Sequence, residues 1–289
     1  MSAARFEAQL AYHEPTVSIP FWDTVLDEPL THRNDSVLWS SDLFGDSTGT
    51  VLTGPFAGKQ NPAGLCSAVF GDVLQRGTRD EQDRSRHMLS NDLIQYSLLR
   101  HTTFSDVMAP ATSFPTAQDA SSVLETHHGG FHGYVGGSMG SVPCSPVDPI
   151  FWPWHASLDC LWEEFRTESQ TSDRQTEFPV YPGMQAGYMP RAPMQPFNNF
   201  PNTWGLSDHF TTYRYSCAVR PTKYTCTLDD DCNSQYLFCH CGQCVSKIQE
   251  RGSCNKFEGS NACYCKDARL TPLCSNGRCE CSARPEGGV

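Results

Sequence analysis

The sequence predicts a mainly α-helical domain wrapped by long loops and followed by a small, irregular module held by disulfides. Three observations carry that expectation. Apolar residues recur at helical spacing in four stretches of the first 166 residues, the chain from 167 to 212 is rich in Pro and Asn, and the cysteines crowd the C-terminal end.

The first helical stretch covers residues 5–12, where Phe6, Leu10 and Ala11 share a stripe and His13-Glu14-Pro15 stops it. An irregular segment rich in Gly, Asp and Thr runs to about residue 80. Ser90 or Asn91 can cap a helix through Arg100, with Ile94 and Leu98 one turn apart on its buried face. Asp119 is a candidate cap for a helix over 120–135, where Leu124, His128, Phe131, His132 and Val135 form one stripe and Gly136-Gly137 ends it. A tight segment, Pro143 to Pro153, leads into a helix from Trp154 to Arg166. The helices over 120–135 and from Trp154 to Arg166 are expected to pack as an antiparallel pair.

Fifteen cysteines are present, and twelve of them fall between Cys217 and Cys281. That segment has too few large apolar residues to fold by burial alone, so an even set of cysteines reads as a disulfide framework formed in an oxidising compartment. Zinc ligation by Cys239-His240-Cys241 or Cys241-x-x-Cys244 is the rival reading, although the spacings never form paired knuckles. The division is therefore residues 1–216 and residues 217–289. The net charge of −11 argues against nucleic acid as a partner, and no apolar run is long enough for a membrane span. The sequon Asn34-Asp35-Ser36 agrees with secretion. No signal peptide opens the sequence, so either export is unconventional or the true N-terminus lies upstream.

His128 and His132 are four residues apart, which on a helix stacks both imidazoles on one face. His155 near the start of the next helix can supply a third nitrogen. Three neutral imidazoles without thiolate or carboxylate suit copper or zinc, and donor type alone does not choose between them. Spacing by itself is weak support, because Gly129 and Gly130 each loosen a helix by about 1 kcal/mol.

The surroundings are more specific. Leu124-Glu125-Thr126-His127-His128-Gly129-Gly130-Phe131-His132, followed by Val135-Gly136-Gly137-Ser138-Met139, resembles the second copper-binding motif of tyrosinases and molluscan-type hemocyanins. Ser145-Pro146-Val147-Asp148-Pro149-Ile150-Phe151-Trp152-Pro153-Trp154-His155 with Leu158-Asp159-Cys160-Leu161-Trp162 resembles that family's second signature. Ser18 to Asp23, Thr53 to Phe56 and Tyr213-Arg214-Tyr215 are further family-like stretches, so the resemblance spans residues 5–216. It implies a partial tyrosinase-like helical bundle in which His128, His132 and His155 hold the second copper ion of a type 3 pair. In such a family two coppers together bind dioxygen, hydroxylate phenols and oxidise catechols to quinones. The implied partners are dioxygen and phenolic or catecholic small molecules or protein tyrosine side chains. The resemblance also implies that Glu125 holds a water near the metal, that Val142 gates the substrate pocket beside Gly129, and that Asp159, one turn after His155, orients a ligand ring. Plain helix-surface roles for Glu125 and Asp159, and plain packing for Val142, are the bland alternatives.

The departures bear on activity. Gly129 stands where monophenol hydroxylases often have Asn, which favours catechol oxidation, and Trp154 stands where a second His is usual. His127 faces about 100° away from His128 and is not expected to be a ligand. The helix beginning Arg5-Phe6-Glu7 resembles the continuation of the helix that carries the third ligand of the first copper, and that histidine falls just before Met1. The first copper site is therefore expected to lie outside this sequence. One copper cannot supply both electrons that a coupled pair delivers to dioxygen, so this chain alone is expected to oxidise phenols poorly. Three readings follow: a stretch of a working phenol oxidase, a catalytically silent secreted matrix or binding protein, and a relative of an oxygen carrier.

Overall fold

The computed structural model of the chain describes residues 2–77, 87–108, 124–181, 184–223 and 225–283. Its described helices, in chain order, are α1 (Ser2–His13), α2 (Leu65–Phe70), α3 (Asn91–Ile94), α4 (Phe104–Met108), α5 (Leu124–Val135), α6 (Phe151–Glu164) and α7 (His209–Tyr213). The described strands are short and form antiparallel ribbons: β1 (Thr48–Thr50) with β2 (Gln75–Gly77), β3 (Pro193–Met194) with β4 (Phe197–Pro201), β5 (Leu237–His240) with β6 (Gln243–Ser246), and β7 (Leu270–Ser275) with β8 (Arg278–Ala283). A mainly helical chain with a disulfide-rich C-terminal module is what the sequence predicted.

The contacts divide the chain into two compact units, one of residues 1–22, 89–130 and 152–218, the other of residues 23–88, 131–151 and 219–289. In the first, Phe6 of α1 lies flat on Trp152, ring centroids 3.9 Å apart. Ser90 caps α3 by accepting from the Leu93 amide at 3.1 Å, and Ile94 and Leu98 are buried, as their spacing required. That helix continues through a π-helical turn, Gln95–Leu99. The Glu177 carboxylate accepts from the Phe104 and Ser105 amides and so caps α4 from a distant loop. The candidate cap Asp119 lies outside the described residues.

Helix α6 starts at Phe151, three residues before the expected Trp154. Pro153 explains the shift. In a first turn its missing amide hydrogen has no intrahelical role to lose, so it is compatible with the helix and does not precede it. The buried face of α6 and its following π-helical turn, Phe165–Ser169, carries Trp154, Leu161 and Phe165. Cys160 bonds Cys217, so α6 is covalently tied to the chain just past α7.

In the second unit, Arg76 and Asp148 form a fully buried pair. Arg76 Nε donates to Asp148 Oδ2 at 2.8 Å and Nη2 to Oδ1 at 2.7 Å, while Nη1 reaches the carbonyls of Phe44 and Asp46. Asp148 also accepts from the Ile150 amide. A second disulfide, Cys66–Cys144, joins α2 to the loop after α5. Composition divides the chain at residue 217, whereas packing groups residues 219–289 with residues 23–88 and 131–151. The Val37 amide donates to the Lys247 carbonyl, the Ser253 amide to Asp35 Oδ2, and the Tyr264 hydroxyl to Asp42. Leu30 joins the tail's main apolar cluster with Phe238, Val245, Ile248 and Phe257.

The disulfide framework is present, with one correction to the cysteine arithmetic. Cys217 pairs outward with Cys160, because the turn after α7 brings it beside α6. The remaining tail cysteines pair 226–239, 232–244, 254–274, 263–279 and 265–281, and Cys241 is left free and exposed. With Cys239 and Cys244 in disulfides, the zinc reading of that stretch fails. Other close sulfur triplets in the tail, such as Cys226, Cys232 and Cys244, reflect neighbouring disulfides and offer no thiolates.

Candidate metal centre

Helix α5 is continuous through both histidines, so His128 and His132 stand one turn apart along it. Its end is set by backbone geometry. Gly136 (φ 62°) donates its amide to the His132 carbonyl at 3.0 Å, and Gly137 (φ 52°) passes so close to β2 that a Cβ there would lie 2.1 Å from the Gln75 carbonyl oxygen. Only glycine combines that approach with a left-handed backbone. Within α5, by contrast, a Cβ at Gly129 would meet nothing within 4 Å, so packing does not demand glycine there.

His155 on α6 faces His128. Their Nε2 atoms are 3.1 Å apart and their rings cross at 80°. One ring nitrogen from each of His128, His132 and His155 lies within 4.8 Å of the others. A 3.1 Å separation suits two neutral imidazoles sharing a hydrogen bond, which needs one nitrogen protonated. It equally suits two bare nitrogens that both stand about 2.0–2.1 Å from one ion. The donor set is all imidazole, and all three residues are half-buried.

The ring of His132 is oriented by a group that the sequence did not reveal. Its Nδ1 lies 2.8 Å from the Met139 carbonyl oxygen. A carbonyl only accepts, so Nδ1 carries the proton and Nε2 carries the lone pair that a metal would need. Met139 sits in the single turn Gly137–Gly140, and nothing in residue type or spacing marks its carbonyl in advance. On His128, Nδ1 is 3.3 Å from Glu125 Oε2, one turn back on α5. Glu125 thus meets the histidine ring directly, and its side chain is 67% exposed.

A cavity of about 240 Å³ opens beside this pair, lined by Leu124, Glu125, His128, His155, Leu158, Asp159 and Trp162. Leu158, Asp159 and Trp162 follow His155 by three, four and seven residues, so helical periodicity alone could have found the other two beside Asp159. Asp159 accepts a hydrogen bond from the Tyr215 hydroxyl, whose pKa burial and that carboxylate push well above its ordinary value. Gly129 is not among the lining residues, and Val142 is 90% exposed. His127 is buried and stands outside the three-histidine group.

A family model described as the common central domain of tyrosinase matches residues 3–168. The chain belongs to the tyrosinase family. It is 32% identical over 283 residues to a tyrosinase-like protein of Caenorhabditis elegans, an alignment covering 95% of this chain and 38% of that protein. It is 30% identical over 262 residues to a tyrosinase-like protein of Pinctada maxima, covering 86% and 54%. A tyrosinase of Streptomyces antibioticus is 26% identical over 181 residues, covering 58% and 60%. The chain therefore spans about half or less of the length of the two animal relatives. Membership implies copper binding, and among the described residues no helix is long and apolar enough to cross a membrane.

Proposed function

We propose that His128, His132 and His155 hold one copper ion, and that this chain serves a type 3 copper oxidase acting on phenols or catechols with dioxygen. The observation that carries the reading is the convergence of three imidazoles, one of them fixed in the tautomer that leaves Nε2 bare. Bound copper would supply the redox chemistry, passing electrons from the phenolic ring to dioxygen. The chain's own residues prepare the place for it. The Met139 carbonyl holds the proton on His132 Nδ1, and Glu125 beside His128 Nδ1 favours the tautomer with the proton there. The apolar wall of Leu124, Leu158 and Trp162 offers a ring-shaped substrate a dry face next to His128 and His155. Glu125, which lines that cavity, would accept a proton from a phenolic hydroxyl.

With one three-histidine group among the described residues, we infer one copper per chain and slow catechol oxidation by this chain by itself. Residues 1–216 act as the copper domain and residues 217–289 as a disulfide-bonded module, and the seven disulfides favour a secreted protein. Val142 and Gly129 remain candidate determinants of substrate access by virtue of the motif they occupy.

Metal analysis after copper loading tests the assignment. One tightly held copper per chain is expected, dropping to near zero in His155→Ala and falling roughly 10- to 100-fold in affinity when ring orientation is disturbed by Glu125→Ala. Equal copper binding by His155→Ala would remove the basis of the proposal. Two coppers per chain with full catechol oxidation would overturn the single-site reading.

A further inference from the structure

We propose that a second small-molecule subsite adjoins the histidine cavity and takes a neutral, single-ring phenol or catechol. The site is a cavity of about 220 Å³ whose apolar walls are Trp162, Met194, Phe197 and Phe210 and whose charged walls are Asp159 and Arg166. Asp159 and Trp162 line both cavities, so the two are separated by little more than those side chains.

Its chemistry asks for a particular ligand. The Arg166 side chain is only 3% exposed. Nη1 is bound to Glu163, and Nη2 to the Leu206 carbonyl and Asp208. Nε is buried and has no hydrogen-bond partner among the described residues. Asp159 takes one hydrogen bond from Tyr215, and a carboxylate has further lone pairs to offer. With the Arg166 guanidinium engaged or enclosed by the protein, a ligand hydroxyl donating to Asp159 is the polar contact that this cavity offers.

Charge selects a neutral molecule. Arg166 and Arg174 are already matched by Glu163 and Asp208, and Asp159 adds a third carboxylate, so an anion would meet net repulsion. The aromatic walls favour stacked or edge contacts with a ring. The volume is below that of sites for drug-sized ligands and suits one ring. Phenols as the ligand class rest on the function proposed above; the cavity itself asks only for a neutral ring bearing a hydroxyl.

The test is an anaerobic titration of the metal-free chain with catechol, read by NMR. Met194 lines this cavity and not the other, while Leu158 lines only the histidine cavity. Saturable binding with intermolecular contacts to the Met194 methyl is expected. Gly205→Leu should weaken it at least tenfold, because a Cβ there already comes within 3.5 Å of the Met194 methyl and a longer side chain fills the space. Thr211→Leu, on the same lining, is the second variant should Gly205→Leu fail to fold. Benzoate should not bind at the same concentration. Contacts confined to Leu158, undiminished affinity in the cavity-filling variants, equal binding of benzoate, or no saturable binding would each overturn the proposal. Because no metal is present, the result stands apart from whether copper binds the histidines.

Discussion

The helices that carry the histidines and the cysteine-rich tail solve the same stability problem by opposite means. Around α6, burial does most of it: Trp154 and Phe165 are wholly enclosed, Trp162 stacks on Phe165, and one disulfide secures the end. From residue 226 onward the apolar supply is small, and its largest cluster contains three half-cystines among nine members. There five disulfides close loops with sequence separations of 12 to 20 residues. The lesson is a division of labour. Packing encloses the helix beside the cavity, whereas the tail's hairpins add cross-links to a small apolar cluster.

Reduction is the strongest way to break that contrast. Each loop of this size contributes about 3 kcal/mol by restricting the unfolded chain, so reducing all five should unfold the tail outright. Limited trypsin digestion should then cut at Lys247, Arg251 and Lys256 while most of the helical circular dichroism remains. A tail that resists trypsin after complete reduction would show that its packing on residues 23–42 suffices. Before reduction, a thiol reagent should count one reactive group per chain, Cys241.

The next largest effect is expected at Arg76 and Asp148, where the second unit depends on a charge pair and not on cross-links alone. Removing one partner strands the other without solvent, so Arg76→Ala or Asp148→Ala should cost about 3–5 kcal/mol, whereas Arg76→Met with Asp148→Leu should cost much less. Thermal melts of the three variants check this. A double variant as unstable as the singles would mean that the carbonyls of Phe44 and Asp46, and not the charge pair, set the requirement for Arg76.

Much of this architecture was legible because it obeys simple periodicities. Ile94 and Leu98 are buried as their spacing demanded, Gly136-Gly137 ends α5, and the tail is a disulfide framework. The histidine set was legible from its spacing and its neighbours, and the three rings do converge. What escaped was long-range. The helix through Pro153 began early because a first turn tolerates proline, and Cys217 paired outward because α7 folds back on α6. The Met139 carbonyl acts through backbone, which no residue type announces. The salt bridge between Arg76 and Asp148 joins positions 72 apart, beyond any local pattern.

The smallest predicted effect is pH-dependent and concerns how the tail is fastened to residues 23–42. Asp42 accepts from the Tyr264 hydroxyl at 2.5 Å and stands 2.8 Å from Lys266 Nζ. Partial burial pushes its pKa up, but the hydrogen bonds from Lys266 and Tyr264 outweigh this and hold it below the ordinary 3.8. A carboxylate with a depressed folded-state value contributes stability that is complete above the unfolded value and is lost as pH falls through the folded one. The contribution should therefore be constant above about pH 4 and fade below it. The exposed lysine is screened by water and salt, so the effect is expected to be about 1 kcal/mol or less. Comparing the stability of the native chain and Asp42→Asn across that range checks it. The variant should be less stable at neutral pH, and the gap should narrow as the solution is acidified. A gap that stays constant down to the lowest pH would mean that the Asp42 contact holds the tail through packing and not through its charge.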